Sequence, residues 1–163
     1  MEKHNPLQRK ITDWTGKKRV TWCGPFSVAT VAGTEYEPAY QTLKKIRGKR
    51  HCKGVSNDNI AKALKTFDIK GKWTTLDKKR KLSKFVFENL EQGKVYIIQI
   101  TRHVLIMDTR DWTTIDNQVA IWRAMDASHH WSKRLVHAFY EVENPKFESQ
   151  CDEQLTFDFE LAS

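Results

Sequence analysis

The sequence predicts an α+β fold, in which helices occupy the first half of the chain and an antiparallel sheet occupies the second. Between residues 23 and 91, apolar residues recur at helical spacing in four segments, and glycines follow three of them. Between residues 95 and 143, short segments rich in β-branched and aromatic residues are separated by polar, turn-like residues. Because the two patterns are segregated along the chain, they favour α+β over a parallel α/β arrangement.

The helical segments carry start and stop signals. The first begins at Cys23, tolerates Pro25 in its first turn and ends before Gly33. Ser56 is a suitable N-cap for the third segment. We expect helices over residues 23–32, about 38–46, 56–67 and about 82–91.

Four segments of the second half are expected to be strands. They are short, and polar residues typical of turns lie between them. We place these strands at residues 95–101 (VYIIQIT), 103–109 (HVLIMDT), 112–117 (WTTIDN) and 134–143 (RLVHAFYEVE).

Charge is distributed unevenly along the 163 residues, whose formal net charge is +8. Residues 141–163 contain seven acids and one lysine, so residues 1–140 carry a charge of +14. The length and this distribution predict one domain over residues 1–144, including a basic N-terminal arm at 1–20, followed by an acidic tail at 145–163. A body this basic attracts polyanions.

Composition favours a cytoplasmic protein without a membrane partner, or one of the host cytoplasm if the source is a virus. No apolar run approaches the roughly 18 residues that a membrane helix needs. The first ten residues, MEKHNPLQRK, lack the apolar core of a secretory signal. The three cysteines, Cys23, Cys52 and Cys151, have unrelated spacings, which predicts free thiols rather than a disulfide framework.

Cys23 is the candidate nucleophile, in the segment VTWCGPFSVATVAG. The thiolate is the reactive form of cysteine, and a helix N-terminus stabilises it through unpaired N–H groups and the helix dipole. Gly24 allows close backbone approach to the thiol. The alternative is a buried packing cysteine, since free cysteine is among the most buried residue types.

His103 and Asp116 are the candidates for a base and for the group that orients it. The segment HVLIMDTRDWTTID reads as a hairpin whose tight turn is centred between Thr109 and Arg110. That register makes His103 and Asp116 direct cross-strand partners, with Cβ atoms about 4.5–5.5 Å apart. A loop one residue longer would instead bring Asn117 opposite His103, and an amide could also orient the imidazole.

These residues together resemble the papain-like cysteine peptidases. The W-C-G-P helix start, a histidine that opens a strand eighty residues later and the I-D-N strand end are most similar to the small peptidases that process bacteriocin leaders, and to stand-alone phage and bacterial relatives. The resemblance covers roughly residues 17–143. It implies a helical subdomain led by the nucleophile helix, packed on a C-terminal antiparallel sheet, with Cys23, His103 and Asp116 as catalytic residues and no cofactor.

One position departs from that family. The family usually has a glutamine six residues before the nucleophile, which donates to the oxyanion, and this sequence has Lys17 there. The resemblance therefore implies an oxyanion site built from the backbone N–H of Cys23 and tentatively from Lys17.

Metal binding is the weaker interpretation of the other histidines and cysteines. The segments RHCKG and SHHW contain His51, Cys52, His129 and His130, but none has C-x-x-C or H-x₃-H spacing. We therefore expect no metal site.

The resemblance implies a peptide or protein substrate and thiol-dependent hydrolysis, and the same chemistry also supports deamidation or acyl transfer. A basic cluster offers an alternative function. It would make the chain a weakly active or inactive peptidase-like protein that binds nucleic acid or an acidic protein partner. Its residues are Lys44, Lys45, Arg47, Lys49 and Arg50.

Overall fold

Four helices and six strands make up the computed structural model, which describes residues 22–118, 120, 122–126 and 128–147. In chain order, the helices are α1 (Cys23–Ala32), α2 (Tyr36–Arg47), α3 (Asn57–Thr66) and α4 (Leu82–Asn89). The strands are β1 (Gly71–Lys81), β2 (Val95–Ile100), β3 (His103–Asp108), β4 (Thr113–Ile115), β5 (Arg123–Ala124) and β6 (Leu135–Val142).

The strands form one sheet in the order β1-β6-β2-β3-β4-β5, and every neighbouring pair is antiparallel. This confirms the α+β prediction at the level of helices combined with an antiparallel sheet. The four predicted helices and four predicted strands are all present, with ends that differ by a few residues. Ser56 caps α3 as expected, because its Oγ accepts a hydrogen bond from the N–H of Asn59 at 3.2 Å.

The expectation that strands occupy only the second half is wrong, because β1 lies between α3 and α4. This strand is an edge of the sheet and pairs only with β6. Most of its side chains are exposed, so its sequence lacks the alternation that marks a half-buried strand. Main-chain pairing with β6 keeps this segment extended. Its exposed lysines disfavour pairing of the sheet edge with a strand of another molecule.

Helices cover both faces of the sheet. On one face α1, α2 and α3 pack against residues such as Ile97, Ile106 and Tyr140. On the other face α4 packs Phe85 and Val86 against a second set of strand residues. Strands β2 and β3 are therefore buried on both sides, which explains their nearly continuous apolar sequences.

Helix α1 lies at the centre of the larger core. Every residue from Gly24 to Ala32 is buried, and most are small, so neighbouring elements can approach the helix closely. The helix ends at Gly33, whose left-handed backbone (φ 63°) donates to the carbonyl of Thr30.

The turn between β3 and β4 is longer than the predicted one. Asp108 pairs with Thr113, so four residues form the turn and the register differs by two residues from the expected one. The carboxylate of Asp108 accepts hydrogen bonds from the backbone and side chain of Arg110, and these contacts stabilise the wider turn. His103 and Asp116 are therefore not directly opposite each other. A shift of two residues keeps both on the same face, because side chains alternate along a strand.

Residues just beyond the predicted domain end contact the body of the protein. Lys146 donates from its backbone to Val31 and from its Nζ to the carbonyl of Phe67 (2.7 Å), and Arg110 lies over the ring of Phe147. The basic arm at 1–20 and residues 148–163 of the acidic tail lie outside the described residues. None of the helices in the described part of the chain is long and apolar enough to cross a membrane.

Candidate active site

Cys23 is the first residue of α1, and its free thiol is half-buried. At this position the backbone N–H has no partner within the helix, so it is available to a negative charge. The preceding residue, Trp22, has φ 65° and ψ 116°, a backbone conformation that is unusual for a bulky side chain. The nucleophile candidate therefore follows a strained junction at the start of a buried helix.

The environment of Cys23 favours its thiolate. Burial raises the pKa of the thiol, but the hydrogen bond and charge of His103 and the N–H groups of Val104 and Cys23 outweigh burial, so the pKa lies below its ordinary value. The N–H of Val104 is accessible because β4 pairs only with residues 106–108 of β3. The uncovered start of β3 thus faces the nucleophile.

His103 opens β3 and is only 7% exposed. Burial lowers the pKa of its imidazole, but hydrogen bonds and charges from Asp116 and Cys23 outweigh that effect and raise the pKa to about 9. A lowered thiol pKa beside a raised imidazole pKa favours a thiolate–imidazolium pair at neutral pH.

Asp116 follows directly after β4 and is 4% exposed. Its Oδ2 lies 3.2 Å from Nε2 of His103, and its Oδ1 accepts a hydrogen bond from the N–H of Gln118 at 2.9 Å. Since Nε2 is engaged by the carboxylate, Nδ1 is the nitrogen left to face the thiol. Of the two candidates for orienting the imidazole, the structure brings Asp116 into contact with it.

Trp131 completes the surroundings of this pair, and the sequence analysis did not identify it. Its indole Nε1–H donates to Oδ2 of Asp116, and its ring centroid lies 4.7 Å from that of His103. His130 lies beside them, with Nε2 3.9 Å from the same carboxylate oxygen. In the sequence, Trp131 is marked only as the aromatic residue of SHHW. A local pattern does not show that its indole contacts a carboxylate fifteen residues earlier.

The loop after α2 forms the other side of the site. The ring of His51 stacks on Trp22 with centroids 5.9 Å apart. Val55 packs against Gly24 so closely that a Cβ placed on the glycine would lie 3.2 Å from the Cβ of Val55. A glycine after the nucleophile thus permits the loop to approach the start of α1.

The structure brings Cys23, His103 and Asp116 together, while Lys17 lies outside the described residues. The basic cluster lies at the end of α2 and in the loop that follows it. In the ranges that the structure describes, no group of three or more histidine, cysteine or acidic side chains is arranged to hold a metal ion.

No protein-family model matches this chain, and searches of the curated proteins and of the solved structures found no match either.

Proposed function

We propose that this chain is a papain-like cysteine hydrolase that cleaves peptide or isopeptide bonds through an acyl-enzyme. The observation that carries the proposal is a buried imidazole held between a carboxylate and a helix-terminal thiol whose pKa it lowers. The order of the parts, a nucleophile helix followed by a sheet with the histidine and the acid, supports the papain-like assignment.

In the acylation step, the Cys23 thiolate attacks the scissile carbonyl carbon and forms a C–S bond. The carbonyl electrons move onto the oxygen. His103, which is an imidazolium at that moment, gives its proton to the leaving amine as the C–N bond breaks. Asp116 keeps the imidazole in the correct orientation and stabilises its positive charge.

In the deacylation step, His103 is neutral and removes a proton from water, which attacks the thioester. The acid product leaves, and the thiolate–imidazolium pair is restored. Glutamine deamidation follows the same steps with ammonia as the leaving group, and an amine in place of water gives acyl transfer. Hydrolysis is the simplest outcome of this machinery.

The oxyanion of the tetrahedral intermediate needs hydrogen-bond donors. The backbone N–H of Cys23 is one, because it lies at the start of α1 and has no helical partner. We propose Lys17 as the second donor from its sequence position alone, because it stands six residues before Cys23, where the papain-like family usually has glutamine. A substitution Lys17→Ala should then slow acylation by about 10²–10³ without changing the pH dependence of alkylation.

The rate of Cys23 alkylation by iodoacetamide as a function of pH tests the proposed pair. We expect fast alkylation near neutral pH, with labelling at Cys23 verified by mass spectrometry. His103→Ala should remove the hydrogen bond and charge that lower the thiol pKa, so its alkylation should accelerate only near the ordinary value of about 8.5. The Cys23→Ala variant measures the background alkylation of other residues.

His137→Ala is the matched control, because that histidine lies on β6 and its Nε2 bonds the hydroxyl of Thr101 at 2.9 Å. It should leave the pH profile unchanged. The proposal would be contradicted if the alkylation rate of the unmodified protein rose only near pH 8.5 and His103→Ala did not change it, whatever substrate is tried.

The alternative function, a binding protein on a peptidase-like scaffold, is favoured by the groove of basic residues beside α2. Binding to nucleic acid through these residues should weaken steeply with salt, because each neutralised phosphate releases counterions. If the alkylation rate of Cys23 shows the expected pH dependence and the protein does not bind an oligonucleotide at low salt, the nucleic-acid form of this alternative is excluded.

A further inference from the structure

A shallow groove of about 340 Å³ lies beside the end of α2 and the loop after it, and most of its lining is cationic. The lining consists of Gln41, Lys44, Lys45, Gly48, Lys49 and Arg50. The sequence from Pro38 to Asn57 contains no acidic residue. Across the described ranges, no ion pair joins a carboxylate to the four basic side chains of the groove.

The nearest acid in sequence, Glu37, lies at the edge of the groove and forms no ion pair with its basic side chains among the described residues. Glu37 lies one turn before Gln41 on α2, and its Oε1 accepts a hydrogen bond from Nε2 of Gln41 at 2.7 Å. Four cationic side chains and this one carboxylate leave the groove with a net positive charge.

The groove is built on an ordered loop. Arg47 donates from Nη1 to the carbonyls of His51 (3.2 Å) and Lys53, so the loop folds around its guanidinium. The hydroxyl of Tyr40 donates to the carbonyl of Arg50 at 3.4 Å, and the buried thiol of Cys52 contacts the carbonyl of Tyr40. The charged side chains therefore project from a backbone that is held before any ligand arrives.

This same loop reaches the nucleophile. Arg50 directly precedes His51, whose ring stacks on Trp22, and Trp22 directly precedes Cys23. Val55, at the other end of the loop, packs against Gly24. The loop that carries the groove therefore also contacts the residues on either side of Cys23.

We propose that this basic groove is a substrate-binding site for an acidic stretch of the polypeptide that Cys23 attacks. The inference rests on the proposed function and adds the class of substrate to it. An acidic peptide fits better than nucleic acid, because the loop that carries the groove also contacts the residues on either side of Cys23, and in the proposed function this thiol attacks a peptide carbonyl.

The test uses two chloroacetyl peptides, one with five glutamates and one with five glutamines. The Cys23 thiolate displaces chloride from either reagent and forms a thioether, so the labelling rate reports binding near the thiol. We expect the glutamate reagent to label Cys23 about tenfold faster than the glutamine reagent at low salt. This preference should fall as salt rises.

Two double variants separate the groove from the general charge of the protein. Lys49→Glu with Arg50→Glu changes two exposed groove residues and should abolish the preference. Lys78→Glu with Lys79→Glu makes the same change of charge on the exposed part of β1 and should retain it. Circular dichroism verifies that both variants are folded.

Each result has a distinct meaning. The groove proposal is overturned if the two reagents label Cys23 at equal rates, or if both double variants lose the preference equally. Either result counts against the groove even when iodoacetamide shows an activated thiol. An ordinary pH profile with iodoacetamide overturns the proposed function instead. Stronger protection of Cys23 by oligothymidylate than by oligoglutamate of equal charge would assign the groove to nucleic acid and also overturn the proposal.

Discussion

The pKa of the His103 imidazole is raised to about 9 although the ring is almost completely buried. Burial alone would lower its pKa, because a charged ring loses its hydration. The carboxylate of Asp116 at 3.2 Å and the thiol of Cys23 reverse that effect. The protonation of His103 thus depends on both neighbours and that of Cys23 depends on His103, so a substitution at one position should alter the titration of another.

Asp116→Asn should slow the reaction of Cys23 with iodoacetamide about tenfold at pH 7.5. The amide keeps the shape of the side chain but removes the carboxylate, whose hydrogen bond and charge help to raise the pKa of His103, so the imidazole loses its proton at lower pH. The neutral ring then no longer favours the thiolate. The measurement is the alkylation rate between pH 5 and 10.

Asp126→Asn is the matched control for this prediction. Asp126 is an exposed carboxylate that accepts hydrogen bonds from the backbone and hydroxyl of Ser128, so its removal changes the net charge equally. Its profile should follow that of the unmodified protein. If Asp116→Asn also leaves the profile unchanged, the carboxylate does not act through His103.

Among the elements, α1 determines where the nucleophile lies. The helix is buried along its length, and its C-terminus is fixed by Gly33 beneath the backbone of Lys146. Gly48 ends α2 with nearly the same backbone, φ 65°, but nothing lies within 4 Å of the place where its Cβ would be. The two glycines share a left-handed conformation and differ in their surroundings.

Gly33→Ala should therefore destabilise the protein more than Gly48→Ala. Both alanines must adopt a left-handed backbone, which costs roughly 1–2 kcal/mol. At position 33 the new methyl group also overlaps the carbonyl oxygen of Lys146, so the free energy of unfolding should fall by at least about 1 kcal/mol more. Urea denaturation of both variants measures the difference. Equal losses would mean that residues 145–147 do not pack against α1 in solution.

Across the whole molecule, the burial of the His103–Asp116 pair makes the stability of the fold depend on pH. The pKa of His103 is about 9 in the folded protein and about 6.5 in an unfolded chain. Its protonation therefore stabilises the fold fully below pH 6.5, and this contribution is lost as the pH rises through 9. We expect the difference in Tm between the unmodified protein and His103→Gln to shrink over that range.

His129→Gln gives a control of opposite sign. Burial, together with the charges of His130 and Arg123, lowers the pKa of His129 to about 4. This histidine thus reduces stability as the pH falls from 6.5 toward 4, and its replacement should flatten the acid side of the Tm profile. If the Tm difference between the unmodified protein and His103→Gln is constant from pH 6 to 10, His103 is not charged in the folded protein.

The sequence predicted most elements because their signals are local. Apolar spacing and caps located α1 and α3, and alternating or continuous apolar runs located β2, β3 and β6. Strand β1 was not predicted, because most of its side chains are exposed and show no apolar pattern. Its conformation depends on pairing with β6, which lies more than fifty residues later in the sequence. Pairing across such a distance leaves no mark on the local pattern.

The candidate site divides in the same way. The sequence by itself determined that a cysteine opens a helix and that His103 opens a strand whose neighbour ends in Asp116 and Asn117, because helix starts and strand patterns are local properties. Only the tertiary structure decided that Asp116 rather than Asn117 contacts the imidazole, that Trp131 donates to the carboxylate, and that His51 stacks beside the nucleophile. Turn length and long-range packing set these contacts, and they depend on the three-dimensional positions of residues far apart in the chain.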